Sequence, residues 1–251
     1  MQNDFDSLID QAEAPFSGWD FSFVGDTGRM ASEPLSWSYA SEVLPKIGQA
    51  ERLLDMGTGG GELLSMLRPL PDYTMATEAY APNVPVARKQ LEPLGVRVFE
   101  FENDENLPFA DEDFDLIINK HEAYSVKELW RILRTGGQFV TQQVGGTDNA
   151  GLNAALGADE DFGFGHWHLD FAEKELASQG FKITKRTEAF PKTRFYDVGA
   201  IVYYLKAIPW QIQDFSVEKY RDPLMQIHKQ IKETGYVEFS SDRFFLSAEK
   251  Q

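Results

Sequence analysis

A short apolar run, Arg52-Leu53-Leu54-Asp55-Met56, leads directly into Gly57-Thr58-Gly59-Gly60-Gly61-Glu62. Such a pattern reads as a buried strand meeting a tight turn, because glycine accepts positive φ and lets another group approach the backbone where a Cβ would block it. Apolar residues resume in Leu63, Leu64, Met66 and Leu67, so a helix is expected over Glu62 to Leu67, stopping near Pro69 and Pro71. Strand, glycine turn and helix in that order open a βαβ unit and point to an α/β fold with a parallel sheet.

The alternation continues downstream. Tyr73 to Glu78 is expected as a second strand, and Asn83 as the cap of a helix whose residues Val84, Ala87, Leu91 and Leu94 share one face, ended by Gly95. Val96 to Phe101 alternates with period two, and Phe114 to Asn119 carries the Leu-Ile-Ile run of a strand covered on both faces. Ser125 and Glu128 form the pattern of a capping box for a helix with Val126, Leu129, Trp130 and Leu133 inward, closed by Gly136-Gly137. Gln138 to Val144 makes a fifth strand. Beyond it, Asp170 and Glu173 are placed to cap a helix running to Gly180, Phe181 and Ile183 begin a strand, and Arg243 to Lys250 reads as a closing edge strand. The sequence therefore predicts a doubly wound, mostly parallel seven-stranded α/β sheet. Residues 1–48 are expected as an N-terminal cap, 49–251 as the main domain, and 196–235 as a helical insertion within it.

Composition removes several functions. Forty Asp and Glu stand against 24 Lys and Arg, a formal charge of −16, which repels phosphate backbones and argues against a nucleic-acid partner. With no Cys there is no thiolate metal site, disulfide or nucleophilic thiol. The acidic Met1-to-Gln11 segment has no apolar leader pattern and no run approaches the length of a membrane span, so a cytoplasmic protein without a membrane partner is expected.

In a doubly wound sheet, ligands sit beyond the carboxyl ends of the strands, where the glycine turn lies. Counting from Gly57, the dinucleotide fingerprint G-x-G-x-x-G would need glycine where Glu62 stands, and a carboxylate there would face the pyrophosphate. No G-x-x-x-x-G-K-[ST] occurs either. What remains is G-x-G-x-G preceded by an acid. Leu53 to Gly61 resembles the first motif of the class I S-adenosylmethionine-dependent methyltransferases of the type 11 kind, with Thr58 where Cys or Ser is more usual. Glu78, Asn103-Asp104-Glu105-Asn106-Leu107-Pro108-Phe109 and Arg131-Ile132-Leu133-Arg134-Thr135-Gly136-Gly137 are similar to later motifs, in order and spacing. The resemblance covers residues 51–144. It implies S-adenosylmethionine as cofactor and a Rossmann-like fold. It also implies that Asp55 belongs to the cofactor site, that Gly57, Gly59 and Gly61 admit the methionine part, Glu78 the ribose, and Asn103 and Asp104 the adenine, and that Asn119 lies with His121 near the transferred methyl.

His121, after the fourth strand, is the candidate general base, since a neutral imidazole can accept a proton near pH 7; a surface histidine is the plain alternative. Trp19, Trp37 and Tyr39, in a segment dense in aromatics, are candidates for covering an apolar acceptor, as are His166 and His168 beyond strand five; packing explains the same residues. His166-Trp167-His168-Leu169-Asp170 lacks the further histidines of a binuclear metal site, and no metal is expected. The expected activity is methyl transfer to a small molecule by in-line displacement. An RNA or protein methyltransferase and a non-catalytic cofactor-binding module stay open as alternatives.

Overall fold

The computed structural model describes residues 2–16, 21–101, 103–161 and 163–251, Gln2 without its side chain. The chain begins with α1 (Gln2–Gln11), α2 (Ser22–Gly25), β1 (Met30–Ser32) and α3 (Tyr39–Ile47). The central alternation follows as β2 (Arg52–Met56), α4 (Glu62–Met66), β3 (Tyr73–Glu78), α5 (Val84–Leu91), β4 (Arg97–Glu100), β5 (Phe114–Lys120), α6 (Val126–Ile132) and β6 (Leu133–Val144). Next come α7 (Ala150–Leu156), α8 (Leu169–Gln179), β7 (Phe181–Ala189) and β8 (Lys192–Phe195). The last elements are α9 (Val198–Ala207), α10 (Arg221–Thr234), β9 (Val237–Ser240) and β10 (Arg243–Lys250).

The chain divides into two compact units. One comprises Ser36–Val144, Trp167–Glu188 and Arg243–Gln251. Its seven-stranded sheet has the order β4-β3-β2-β5-β6-β10-β7. The pairs β2–β3, β2–β5, β3–β4 and β5–β6 are parallel and β10 runs antiparallel to β6. The doubly wound sheet expected from the alternation is present. Its apolar runs are explained by burial on both faces. Leu54, Ile117, Phe139 and Phe244 pack on one side with Leu129 and Leu176, while Leu53, Leu116, Ile118, Val140 and Phe245 pack on the other with Val43, Leu64 and Leu91.

Three local expectations are corrected. Arg243–Lys250 is not the edge strand; it lies between β6 and β7, and β7 is the edge. The cap of α8 is His168, whose Nδ1 accepts from Phe171 N at 3.3 Å, rather than Asp170 or Glu173. Ser125 does cap α6, accepting from Glu128 N at 3.4 Å, but the Glu128 carboxylate does not reach back to close the box. It accepts instead from Leu107 N at 2.9 Å and from Arg131 Nε and Nη2 at 2.8 and 2.7 Å. Arg131 in turn donates to the carbonyls of Leu107 and Phe109 at 3.1 and 2.7 Å, so this pair pins the Leu-Pro-Phe segment onto the sheet.

The other unit comprises Met1–Leu35, Gly145–His166 and Ala189–Asp242. Two of its helices, α9 and α10, were expected from the sequence as an insertion, and the unit adds the three-stranded antiparallel sheet β1-β8-β9. Its α9 is apolar almost all round and buried at every position but Lys206. Asp197 caps that helix through Ala200 N at 2.9 Å and holds Arg29 by two bonds of 2.8 and 2.7 Å. Gly199 admits α1 so closely that a Cβ there would lie 2.3 Å from the Leu8 carbonyl oxygen. Among the described residues, no helix is long and apolar enough to cross a membrane.

Lys250 ties β10 to the end of α6. It is 6 % exposed, and its Nζ donates to the carbonyl oxygens of Trp130 and Leu133 at 2.8 and 2.7 Å. Lys250→Met keeps the aliphatic stem but removes the donor from two carbonyls, which should cost about 2–4 kcal/mol. At roughly 2–4 °C per kcal/mol for a chain of this size, thermal unfolding should show a midpoint lower by about 5–15 °C. An unchanged midpoint would mean that solvent satisfies both carbonyls.

Candidate active site

Strand register brings the site together. Met56 pairs with Thr77 on one side and Asn119 on the other, and Asn119 pairs with Thr141. The carboxyl ends of four adjacent parallel strands therefore deliver Gly57, Glu78, the segment 120–122 and Gln142 to one edge of the sheet. The strand order reverses between β2 and β5, the position where doubly wound sheets open a crevice.

The glycine turn occupies that position. Gly57, Gly59 and Gly61 all have positive φ, at 70°, 64° and 87°. Gly61 also yields space to α5, since a Cβ on it would lie 2.7 Å from Leu91 Cγ. Thr58 N donates to Thr77 O at 2.9 Å and Gly61 N to Thr58 O at 3.1 Å, which closes the loop on itself. Glu78 ties the turn to β3: Oε2 accepts from Gly59 N at 2.7 Å and Oε1 from Tyr80 N at 2.8 Å. Each carboxylate oxygen keeps a further lone pair.

Asp55 and Glu78 are buried, at 7 % and 3 % exposed. Burial lifts the Asp55 carboxyl to about 6, opposed by the Thr58 hydroxyl and reinforced by the charge of Glu78. Burial raises Glu78 too, against the pull of its backbone donors. Asp104 is half-buried, its Oδ1 has no partner, and burial raises its pKa. Glu122 lies over Gly57, and burial, then the charges of Asp104 and Glu78, lifts its carboxyl to about 7. Four carboxyls thus meet around one turn.

Of the two residues assigned to adenine, only Asp104 interacts with this cluster. Asn103 is exposed and its Oδ1 accepts from Glu105 N at 3.0 Å, a local turn beside a shallow cleft formed with Glu100, Phe101, Asn106 and Pro108. Asn119 is fully buried and its carboxamide is already engaged: Oδ1 accepts from Thr141 Oγ1 and Gln143 Nε2, both at 2.7 Å, and Nδ2 donates to Glu122 O at 3.2 Å. Its place is beneath the site, holding the loop that carries Glu122. Tyr39 adds to that support, with its hydroxyl donating to Asn119 O at 3.1 Å.

His121 has φ 60°, a left-handed backbone rare for a residue with a Cβ, fixed by its N–H donating to Gln142 O at 2.8 Å. Its ring meets Gln142 Nε2 at 3.0 Å, and Gln142 Oε1 accepts from Trp37 Nε1 at 2.9 Å. An indole N–H can only donate, so it selects the Gln142 oxygen and turns the amide N–H₂ toward the imidazole. His121 Nε2 is then an acceptor, and the ring proton sits on Nδ1. Surrounding protein, with Lys120 and Arg243 adding positive charge, holds the imidazole well below its ordinary pKa. The ring nitrogen not bound to Gln142 is a donor, which is the opposite of what a general base requires.

The remaining candidates are placed as follows. His168 caps α8, His166 belongs to the other unit, and Trp19 lies outside the described residues. Among the described residues, no group of three His, Asp or Glu is arranged to hold a metal ion. Glu122 and Gln142 escaped sequence reasoning. Signals existed: an acid two residues beyond a strand's carboxyl end, and a Gln-Gln pair inside a buried strand, where amides need partners.

A family model described as a methyltransferase domain matches residues 54–141, which contain the glycine turn, Glu78, Asp104 and Glu122. Over those residues the chain is thus similar to methyltransferase domains. Over 138 residues the chain is 29% identical to protein-L-isoaspartate O-methyltransferase 2 of Pelobacter propionicus, covering 54% of this chain and 61% of that one. Over 120 residues it is 31% identical to the ubiquinone biosynthesis O-methyltransferase of Cereibacter sphaeroides, covering 44% and 48%. The chain thus spans about half to three fifths of the length of these relatives. The solved YcgJ protein of Bacillus subtilis shares the fold, with a TM-score of 0.56 at 15% identity over 84% of this chain and 97% of that one.

Two outcomes check the geometry of the site. Nitrogen-15 NMR should find His121 neutral and protonated at Nδ1 between about pH 5 and 8, and Trp37→Phe should release that tautomer; an imidazolium at pH 6 would contradict the wiring. Asp55 and Glu122 bind protons more tightly folded than unfolded, so their ionisation lowers stability as pH rises from about 4 through about 7. Glu122→Gln should therefore stabilise the unliganded protein at pH 8 by about 1–2 kcal/mol after allowing for solvent screening, and leave it unchanged near pH 5. Denaturant unfolding at the two pH values measures both arms.

Proposed function

We propose that the chain is an S-adenosylmethionine-dependent methyltransferase whose acceptor is a small molecule. The observation that carries this reading is the glycine turn at the strand-order reversal, with Glu78 anchored beneath it and the unpartnered Asp104 Oδ1 beside it. The turn fits that cofactor. Gly59 leaves the backbone open, the turn carries no lysine for a phosphate, and the negative wall suits a ligand that bears a sulfonium and an ammonium group. The second lone pairs of Glu78 are placed to accept ribose hydroxyls, and the orphaned Asp104 Oδ1 is an acceptor for an amino group. When bound, the sulfonium supplies a methyl group already activated for in-line displacement. The protein's own part is orientation and exclusion of water.

The two relatives act, by their names, on a protein residue and on a ubiquinone precursor, so they do not choose between acceptor classes. A net charge of −16 argues against RNA, and Trp37, with its ring edge bonded to Gln142 beside His121, offers an aromatic wall for an organic acceptor. His121 suits that acceptor as a hydrogen-bond donor to one of its oxygens.

Purified protein should be heated with S-adenosylmethionine, S-adenosylhomocysteine and NAD in parallel. At 100 times its dissociation constant a ligand adds about 2.7 kcal/mol, hence roughly 5–10 °C in the midpoint. A rise with the two sulfur ligands and none with NAD is expected, and the reverse result would overturn the reading. Glu78→Ala removes the partner of Gly59 N and Tyr80 N, and should weaken cofactor binding about ten- to a hundredfold. Transfer of labelled methyl to protein but to no small molecule would reassign the acceptor.

A further inference from the structure

Lys120, Gln142 and Arg243 share one face of the seven-stranded sheet. Side chains two apart on a strand point the same way, and Ile118, Val140 and Phe245 all belong to the apolar cluster that Trp37 packs against. Lys120 comes two residues after Ile118, Gln142 two after Val140, and Arg243 two before Phe245. Register sets Lys120 opposite Gln142, Gln142 opposite Phe245, and Arg243 opposite Val144, at the end of the sheet where the crevice opens. The chain from Trp37 through Gln142 to His121 runs along the same edge. His121 is exposed to solvent yet has protein on most sides, the combination that a recess produces, and Lys120 and Arg243 are close enough to act on its ring.

Two other lysines on that face are taken up within the protein. Lys46 donates to Gln138 Oε1, and Lys185 pairs with Glu42 at 2.6 Å above the Phe245 ring. Lys120 differs from both. Among the described residues, its half-buried ammonium forms neither a hydrogen bond nor an ion pair. Burial pushes its pKa down, Asp55 pulls it up and Arg243 pushes it down again, so burial outweighs the one acid that acts on it. Glu78, Asp104 and Glu122, gathered at the glycine turn, are not among the groups that act on Lys120. Two cations held beside each other in a recess are costly in the free protein and useful where an anion binds between them.

We propose that the methyl acceptor carries a carboxylate, held by Lys120 with His121 Nδ1–H as second donor and Arg243 adding positive charge, while its organic body lies against Trp37. The inference rests on the methyltransferase reading and gives the acceptor of that reading a chemical class. A carboxylate offers two oxygens, which match the two donors, and its bond to an ammonium is charge-assisted. A phosphate would bring a second negative charge toward the acids at the turn, which disfavours it. Lys120 is then a specificity-determining residue: it selects which molecule is methylated and takes no proton from it.

Calorimetric titration of the full chain loaded with S-adenosylhomocysteine tests this with benzoate, benzamide and phenyl phosphate, the first two being nearly equal in shape and different in charge. Benzoate should bind at least about tenfold more tightly than benzamide. Lys120→Met, or Lys120→Gln should the first variant not fold, should erase that preference, and Lys120→Arg should restore part of it. Affinity for S-adenosylhomocysteine should stay within about twofold in all of them. Nitrogen-15 NMR should show the His121 Nδ1 resonance move as benzoate is added. Equal binding of benzoate and benzamide, a preference kept by the folded Lys120 variants, or no binding of either at millimolar concentration would overturn the proposal. Tighter binding of phenyl phosphate than of benzoate would overturn the carboxylate and make the anchor a phosphate. A Lys120→Met protein that loses affinity for S-adenosylhomocysteine and keeps the preference would give Lys120 to the cofactor instead. Failure of S-adenosylhomocysteine to bind the natural protein would overturn the methyltransferase reading, and the benzoate comparison is then read on the unliganded chain.

Discussion

One buried carboxylate organises the site. Glu78 reaches from the end of β3 to the amide of Gly59, and the same side chain holds Tyr80 at the start of the next loop. A glycine-rich loop has more conformational freedom to lose than any other, so it needs such an anchor to present one shape. Charge-assisted bonds to backbone amides are among the stronger tethers available. The parallel register supplies the rest, since it sets the ends of β2, β3, β5 and β6 level and makes one crevice from four loops distant in sequence.

The same crevice is electrostatically unfinished. Glu78, Asp55, Asp104 and Glu122 all have raised pKa values, chiefly through burial, which outweighs the donors that Glu78, Asp55 and Glu122 find nearby. Ordinary folding selects against such an arrangement, because a buried charge without a partner costs several kcal/mol. Sites for ligands are the usual exception. The protein holds these acids in place by using neutral groups as scaffolding: Asn119, Thr141 and Gln143 form a saturated amide and hydroxyl cluster under the loop, and Trp37 orients Gln142, which orients His121.

The sheet could be read from the sequence because its strands are covered on both faces and so appear as apolar runs, and the glycine turn because only that chemistry tolerates three positive φ values in five residues. Two features were hidden for a physical reason. The position of β10 depends on pairing between segments far apart in sequence, which local pattern does not encode. The role of His121 depends on a tautomer chosen by Trp37 through Gln142, a chain of three residues from three separate segments. Glu128 looked like half of a capping box because the spacing is the same whether its carboxylate turns back to its own helix or, as here, across to Leu107.

The insertion of β10 between β6 and β7 bears on how the chain is made. In the seven-stranded sheet β7 bonds only to β10, a strand that follows it by more than fifty residues. A nascent chain that has emerged as far as Ala189 therefore carries a strand, anchored only by Phe181 and Ile183, with no neighbour to pair with. During synthesis at about 5–20 residues per second, that exposed edge persists for several seconds until Arg243–Lys250 slots in beside it. Sheet closure is thus a late, non-local event that waits on translation, and the interval before it is when this edge is open to chaperones or to the strands of another copy.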